Sequence, residues 1–229
     1  MEMEQEFRLD GIVPWGRRLW EYRAFFALEE ADLRHAVLDV GAGPSSFAAE
    51  ASAAGARVTA ADPLYALPGK AIAQRFEETR GAMMEGLRQA RYRFRWSHYG
   101  SPDTIEKIRR EALALFLADY GREAARRYVE ASLPRLPFAD GAFRLALSSH
   151  LLFLYGDDLD FAFHIEALRE LLRVAEEVRV FPLVNLDGRP SSHLPGVLAQ
   201  FARDGIRVEL VPVPYEFQKG ATKMLRLRR

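Results

Sequence analysis

The chain has 229 residues, 32 basic against 32 acidic side chains, a formal net charge of zero and no cysteine. Disulfide frameworks, thiolate metal sites and thiol catalysis are thereby excluded, and no overall field points to nucleic acid or to a membrane surface. The length suffices to bury the core of one α/β domain with an insertion, so a single domain over 1–229 is the expectation.

Taken in chain order, the opening Met1-Glu2-Met3-Glu4-Gln5-Glu6 is acidic and lacks the basic and apolar regions of a signal peptide. No apolar run approaches the ~20 residues of a membrane span, so a soluble, cytoplasmic protein is expected. Leu19, Trp20, Arg23, Phe26 and Ala27 recur at helical spacing and predict an amphipathic N-terminal helix within 15–30. A strand at 36–40 then ends in a glycine turn and passes into a helix at 44–54, with Pro44 at its first position. A second strand at 57–61 ends at Asp62. Residues 63–126 exceed an ordinary strand–helix–strand connection, and helical spacing recurs at 70–90 and 103–118, which predicts an inserted helical cap over the site. Strands follow at 127–131 and 143–148, then a helix through Phe161 to Val174 with Asp157 or Asp158 as N-cap. A strand at 178–184, a helix at 193–204 and a closing pair at 206–213 and 222–227 complete the chain. The connection 214–220 is too short for a parallel crossover and makes the closing pair antiparallel.

Strand, glycine loop, helix, strand and acid form the opening of a nucleotide-binding α/β sheet. A carboxylate at the tip of the second strand is placed to accept two hydrogen bonds from a ribose diol. A dinucleotide loop reads G-x-G-x-x-G, and Ser46 stands where its third glycine would be. Pro44 removes a donor that a phosphate would use. Such a loop suits an adenosine cofactor without phosphates, of which S-adenosylmethionine is one.

Here the run Val37-Leu38-Asp39-Val40-Gly41-Ala42-Gly43-Pro44-Ser45 resembles the first motif of the class I S-adenosylmethionine-dependent methyltransferases. Asp39, Gly41 and Gly43 match it, and Ser45 replaces its last glycine. Leu136-Pro137-Phe138-Ala139-Asp140-Gly141-Ala142-Phe143 resembles the turn before strand four in small-molecule members, departing at Arg144. Much of the chain also looks like a group of bacterial methyltransferase-like proteins without an assigned substrate. The resemblance implies a Rossmann-like, mostly parallel seven-stranded sheet with an antiparallel last strand and helices on both faces. It further implies S-adenosylmethionine as cofactor, held by Asp39, Gly41, Gly43, Asp62, Ser132 and Ser148. The family's usual acid near the adenine is missing at Ala131-Ser132, which leaves backbone groups or Ser132 for that task.

Ser148-Ser149-His150 falls at the end of strand four, where open α/β sheets place their chemistry. His150 has the pKa range of a general base for a protonated acceptor, and its plainer reading is a histidine that packs beside the cofactor. His164 and Glu166, two apart on a helix, face different sides, so no metal site is indicated. Arg91 to Tyr99 alternates cations with aromatics. As a strand this would turn arginines to one side and rings to the other, for stacked bases or an anionic small substrate, or simply with rings in the core and arginines in water. The reading adopted is methyl transfer to a small-molecule acceptor. An RNA methyltransferase using 91–99 and a non-catalytic S-adenosylmethionine-binding protein are the alternatives.

Overall fold

The computed structural model describes residues 15–229; the acidic stretch Met1-Glu2-Met3-Glu4-Gln5-Glu6 lies outside them. In chain order the elements are α1 (Leu19–Phe25), α2 (Glu30–Leu33), β1 (Ala36–Val40), α3 (Phe47–Ala53), β2 (Arg57–Ala61), α4 (Gly69–Gln89), α5 (Pro102–Arg127) and β3 (Tyr128–Val129). They continue with β4 (Phe143–Ser149), α6 (Phe161–Val174), β5 (Ala175–Phe181), α7 (Leu194–Arg203), β6 (Arg207–Pro212) and β7 (Lys223–Arg228). Short 3-10 turns stand at Pro63–Ala66 and Arg91–Arg93.

The strands form one sheet in the order β3-β2-β1-β4-β5-β7-β6. All pairs are parallel except those of β7, which runs antiparallel to both β5 and β6. A mostly parallel seven-stranded sheet with an antiparallel last strand is what the resemblance implied. Side chains alternate across the sheet, so Val37, Leu145 and Leu147 join the core under α1, α3, α4 and α5, while Leu38, Val40 and Ala146 join the core under α6 and α7. With both faces covered, β1 is a nearly continuous apolar run, while β4 and β5 bury their central residues and carry Arg144, Glu176 and Glu177 toward their starts. The outermost strand β6 is half exposed and carries Arg207, Glu209 and Pro212, residues that discourage further pairing at an edge.

Several boundaries differ from the sequence expectation, each for a local reason. The N-terminal helix breaks at Phe26 and Ala27. Arg179 of β5 fills the break, donating to the Phe26 carbonyl at 3.0 Å and to both oxygens of Asp32 at 2.9 Å. Helix α3 starts at Phe47, so Pro44 belongs to the glycine loop and not to the helix. Helix α6 is capped by Asp160, whose carboxylate accepts the Phe163 N–H at 2.8 Å, while Asp157 accepts from Asn185 instead. Strand β5 begins at Ala175, directly off α6, and ends before Pro182, which has no N–H to extend a ladder. Residues 91–99 form no strand: a 3-10 turn is followed by a single bridge from Phe94 to Gln218. Phe94 and Trp96 pack on Phe217, Tyr99 is buried, and Tyr92 points to solvent.

The connection between β2 and β3 has two parts. Helix α5 lies against the sheet and α3, burying Ile105, Ala112, Leu113 and Phe116. Residues 63–100 stand over the C-terminal ends of the strands. Among the described residues no helix is long and apolar enough to cross a membrane.

Candidate functional site

The site begins at the loop between β1 and α3. Gly41 (φ +68°) and Gly43 (φ +54°) occupy the left-handed region, which a side chain adopts only at a cost. A Cβ on Gly41 would lie 2.6 Å from Leu151, whereas one on Gly43 would meet nothing within 4 Å and would project into open space. The segment Trp15-Gly16-Arg17 passes directly over this loop. A Cβ on Gly16 would come within 1.9 Å of the Pro44 carbonyl, so only glycine allows the approach. The Arg17 carbonyl accepts the Ser46 N–H at 3.0 Å and the Ser45 hydroxyl at 2.7 Å.

Most of the loop amides are thereby engaged. Gly41 N–H donates to the Ala61 carbonyl at 2.9 Å, Gly43 N–H to Asp62 at 2.8 Å and Phe47 N–H to Ser45 Oγ at 3.2 Å, and Pro44 has none to give. With Pro44 lacking an N–H and Gly43 N–H turned to Asp62, the loop is a poor cradle for a pyrophosphate.

Asp62, just past β2, accepts Gly43 N–H on Oδ2 and Leu64 N–H on Oδ1, both at 2.8 Å. A carboxylate oxygen accepts two hydrogen bonds, so each retains one for a ligand hydroxyl. Burial raises the Asp62 pKa, and the Leu64 and Gly43 amides oppose that rise. Beneath the loop, Asp39 is fully buried, with Oδ2 accepting the Tyr22 hydroxyl at 2.8 Å and Oδ1 without a partner. Burial pushes its carboxyl up to about 8 despite the Tyr22 hydrogen bond, with Asp62 adding to the rise. Asp39 is therefore predominantly protonated at pH 7.

Over these groups opens a cavity of about 590 Å³, in the range of small-molecule sites. Of the residues singled out in the sequence, Gly41, Gly43, Asp62, Ser132 and His150 line it. Asp39 and Ser148 do not: they sit within the strands, Asp39 opposite Leu147 and Ser148 opposite Val40, and among the described residues the buried Ser148 hydroxyl has no hydrogen-bond partner. Because side chains alternate along β4, Ser149 rather than Ser148 reaches the cavity. Among the lining residues that escaped the sequence reading are Trp15, Arg17 and Tyr22. They precede β1 and carry no motif, and only the crossing at Gly16 brings them to the loop.

His150 follows β4 in the left-handed region (φ +54°), with its N–H on the Phe181 carbonyl at 2.6 Å and Ser149 Oγ 2.8 Å from Nδ1. Phe25 and Phe181 meet its ring edge-on. Burial first, then the charges of Arg17 and Arg109, hold its pKa well below 6.5, so the ring is neutral at pH 7. A second cavity of about 130 Å³ opens on the other side of His150, between the end of β5, the β6–β7 connection and the end of α4. Trp15, Arg17 and His150 line both.

Behind this wall lies a buried ion pair. Glu21 takes two hydrogen bonds from Arg109, each 2.7 Å, and one from the Tyr99 hydroxyl, which is also 2.7 Å from that of Tyr215. Burial alone would raise the Glu21 pKa, but Arg109, Arg17 and Tyr99 outweigh it and hold the carboxyl low. Among the described residues no group of three or more potential metal ligands is present.

No family model matches the sequence. An uncharacterized protein of the archaeon Methanocaldococcus jannaschii is 34% identical over 222 residues, spanning 96% of this chain and 98% of its own. Among solved structures, the mitomycin 7-O-methyltransferase MmcR is similar with a TM-score of 0.49 and 18% identity, over 92% of this chain and 53% of that one. This chain thus spans about half the length of that protein. A SAM dependent methyltransferase from Aquifex aeolicus gives a TM-score of 0.42 and 14% identity, over 88% of this chain and 86% of that one.

Proposed function

The chain belongs to one family with the Methanocaldococcus jannaschii protein, and we propose that it binds S-adenosylmethionine and methylates a small-molecule acceptor. The observation that carries this reading is the state of the glycine loop: Gly41 and Gly43 N–H are taken within the protein and Pro44 has none, while Asp62 beside it keeps a free acceptor position on each oxygen. That combination suits a ribose diol without a pyrophosphate. The open space at Gly43 fits the close approach of a ligand. Leu64, Ala131, Ser132 and Leu133 provide a largely apolar wall for an adenine, with Ser132 as its polar group. When bound, S-adenosylmethionine supplies an electrophilic methyl group on a sulfonium.

What the chain's own residues add is placement, exclusion of water and custody of one proton. Neutral His150 keeps Nδ1 on Ser149 and has Nε2 to accept a proton from an acceptor hydroxyl as that oxygen loses its hydrogen. From the inserted segment 63–100, Leu64, Leu67, Arg75 and Thr79 contribute to the lining of the cavity. Two of the three arginines at 91–99 are paired with acids, Arg93 3.0 Å from Asp187 and Arg95 3.6 Å from Glu216, which does not favour RNA.

Isothermal titration tests the cofactor. S-adenosylhomocysteine is expected to bind and NAD to give no comparable signal, and Asp62→Ala should weaken binding by about 1–3 kcal/mol, as for a lost charge-assisted hydrogen bond. Binding of NAD without S-adenosylhomocysteine would overturn the assignment.

A further inference from the structure

We propose that the smaller cavity is the acceptor site and that it selects a ring-sized apolar molecule bearing one anionic group, with Arg17 as the counter-charge. The inference deepens the methyl-transfer reading and rests on it for the word acceptor, though not for the binding itself. The cavity, about 130 Å³, is walled by Leu87, Phe94, Leu154, Phe181, Tyr215 and Phe217. An apolar space of about 150 Å³ accommodates a benzene ring, so this one suits a single ring or a body of similar size. It touches the larger cavity across His150 and Arg17, which places an occupant against the histidine that can take its proton.

The polar groups around the cavity are nearly all committed. Gln218 donates to the carbonyls of Asn185 and Leu186 at 2.8 and 3.0 Å, Tyr215 shares its hydroxyl with Tyr99, and Arg93 sits on Asp187. Arg109, another buried cation, has its charge met by Glu21 through both Nη groups, although its Nε finds no acceptor.

Arg17 is different. One Nη donates to the Trp15 carbonyl at 2.7 Å, Nε finds no acceptor, and among the described residues no carboxylate lies within ion-pair distance. The indole N–H of Trp15 beside it is likewise buried without an acceptor. Among the described residues, two unsatisfied donors and a guanidinium with no carboxylate in ion-pair range thus meet where the cavities join, Glu21 acting on Arg17 only at longer range. Burying a cation without a partner costs several kcal/mol, and a ligand anion removes that cost. Its apolar body meanwhile covers the aromatic wall.

Benzoate and benzamide are suitable probes, equal in size and differing in charge. With S-adenosylhomocysteine saturating, benzoate is expected to bind the unaltered protein at least about tenfold more tightly than benzamide. Arg17→Gln should erase that preference, and Arg17→Lys should restore part of it. Equal binding of the two probes, or binding of neither, overturns the proposal without any variant. It is also overturned if Arg17→Gln leaves benzoate untouched and weakens S-adenosylhomocysteine, since Arg17 would then serve the cofactor's carboxylate. Should S-adenosylhomocysteine fail to bind while benzoate binds through Arg17, the cofactor reading falls and the anion site stands.

Discussion

Asp39→Asn should make the free protein more stable at neutral pH, and the gain should depend on pH in a way only a buried carboxyl explains. In the folded chain the Asp39 carboxyl is fully buried and holds its proton to about 8, against an ordinary value of 3.8. Between those limits the folded state binds a proton that the unfolded state has released, so stability falls as pH rises through the window and levels off above it. Each pH unit costs about 1.4 kcal/mol, which makes the loss about 4 kcal/mol by pH 7. Asparagine fills the same space, can still accept the Tyr22 hydroxyl and does not ionise. Its NH₂ group adds unsatisfied donors worth about 1–3 kcal/mol, so the net gain at pH 7 is about 1–3 kcal/mol. Urea melts of both proteins at pH 5 and pH 7.5 check this. The stability difference, variant minus parent, should grow by about 3 kcal/mol between the two pH values. A difference that stays constant with pH would refute the reasoning, since Asp39 would then be ionised in the fold.

Gly43→Ala should fold at a cost of about 1–2 kcal/mol, from the positive φ alone, because its Cβ meets no protein atom. S-adenosylhomocysteine binding should nonetheless be lost, and calorimetry showing unchanged affinity would remove the loop from the cofactor site. Glu21→Gln should lower stability by about 3–5 kcal/mol, because it leaves the Arg109 charge buried without a counter-ion. A thermal melt at pH 7 matching that of the parent would show that water or another group reaches Arg109.

Much of the architecture was legible in the chain because it depends on local periods. Apolar runs at 36–40, 57–61 and 143–148 lie close to β1, β2 and β4, and the seven-residue link at 214–220 dictated the antiparallel final pair. The glycine loop and Asp62 were legible for a related reason: a positive φ and an acid at a strand end are demands made within a few residues.

What depends on distant partners was not legible. The N-terminal helix breaks because Arg179, more than a hundred and fifty positions away, claims the Phe26 carbonyl. The arginine–aromatic alternation at 91–99 resembles a strand, yet no neighbouring strand is there to pair it beyond one bridge. Ser148 and Ser149 are equivalent in sequence, and only the handing of the sheet decides that Ser149 faces the cavity. Arg17 shows the limit most clearly. Nothing in Trp15-Gly16-Arg17 marks a binding residue, but contact between Gly16 and the Pro44 carbonyl carries this guanidinium to the junction of two cavities. Spacing along the chain determines which turns and strands form, whereas a charge becomes a binding group only when the tertiary structure withholds its partner.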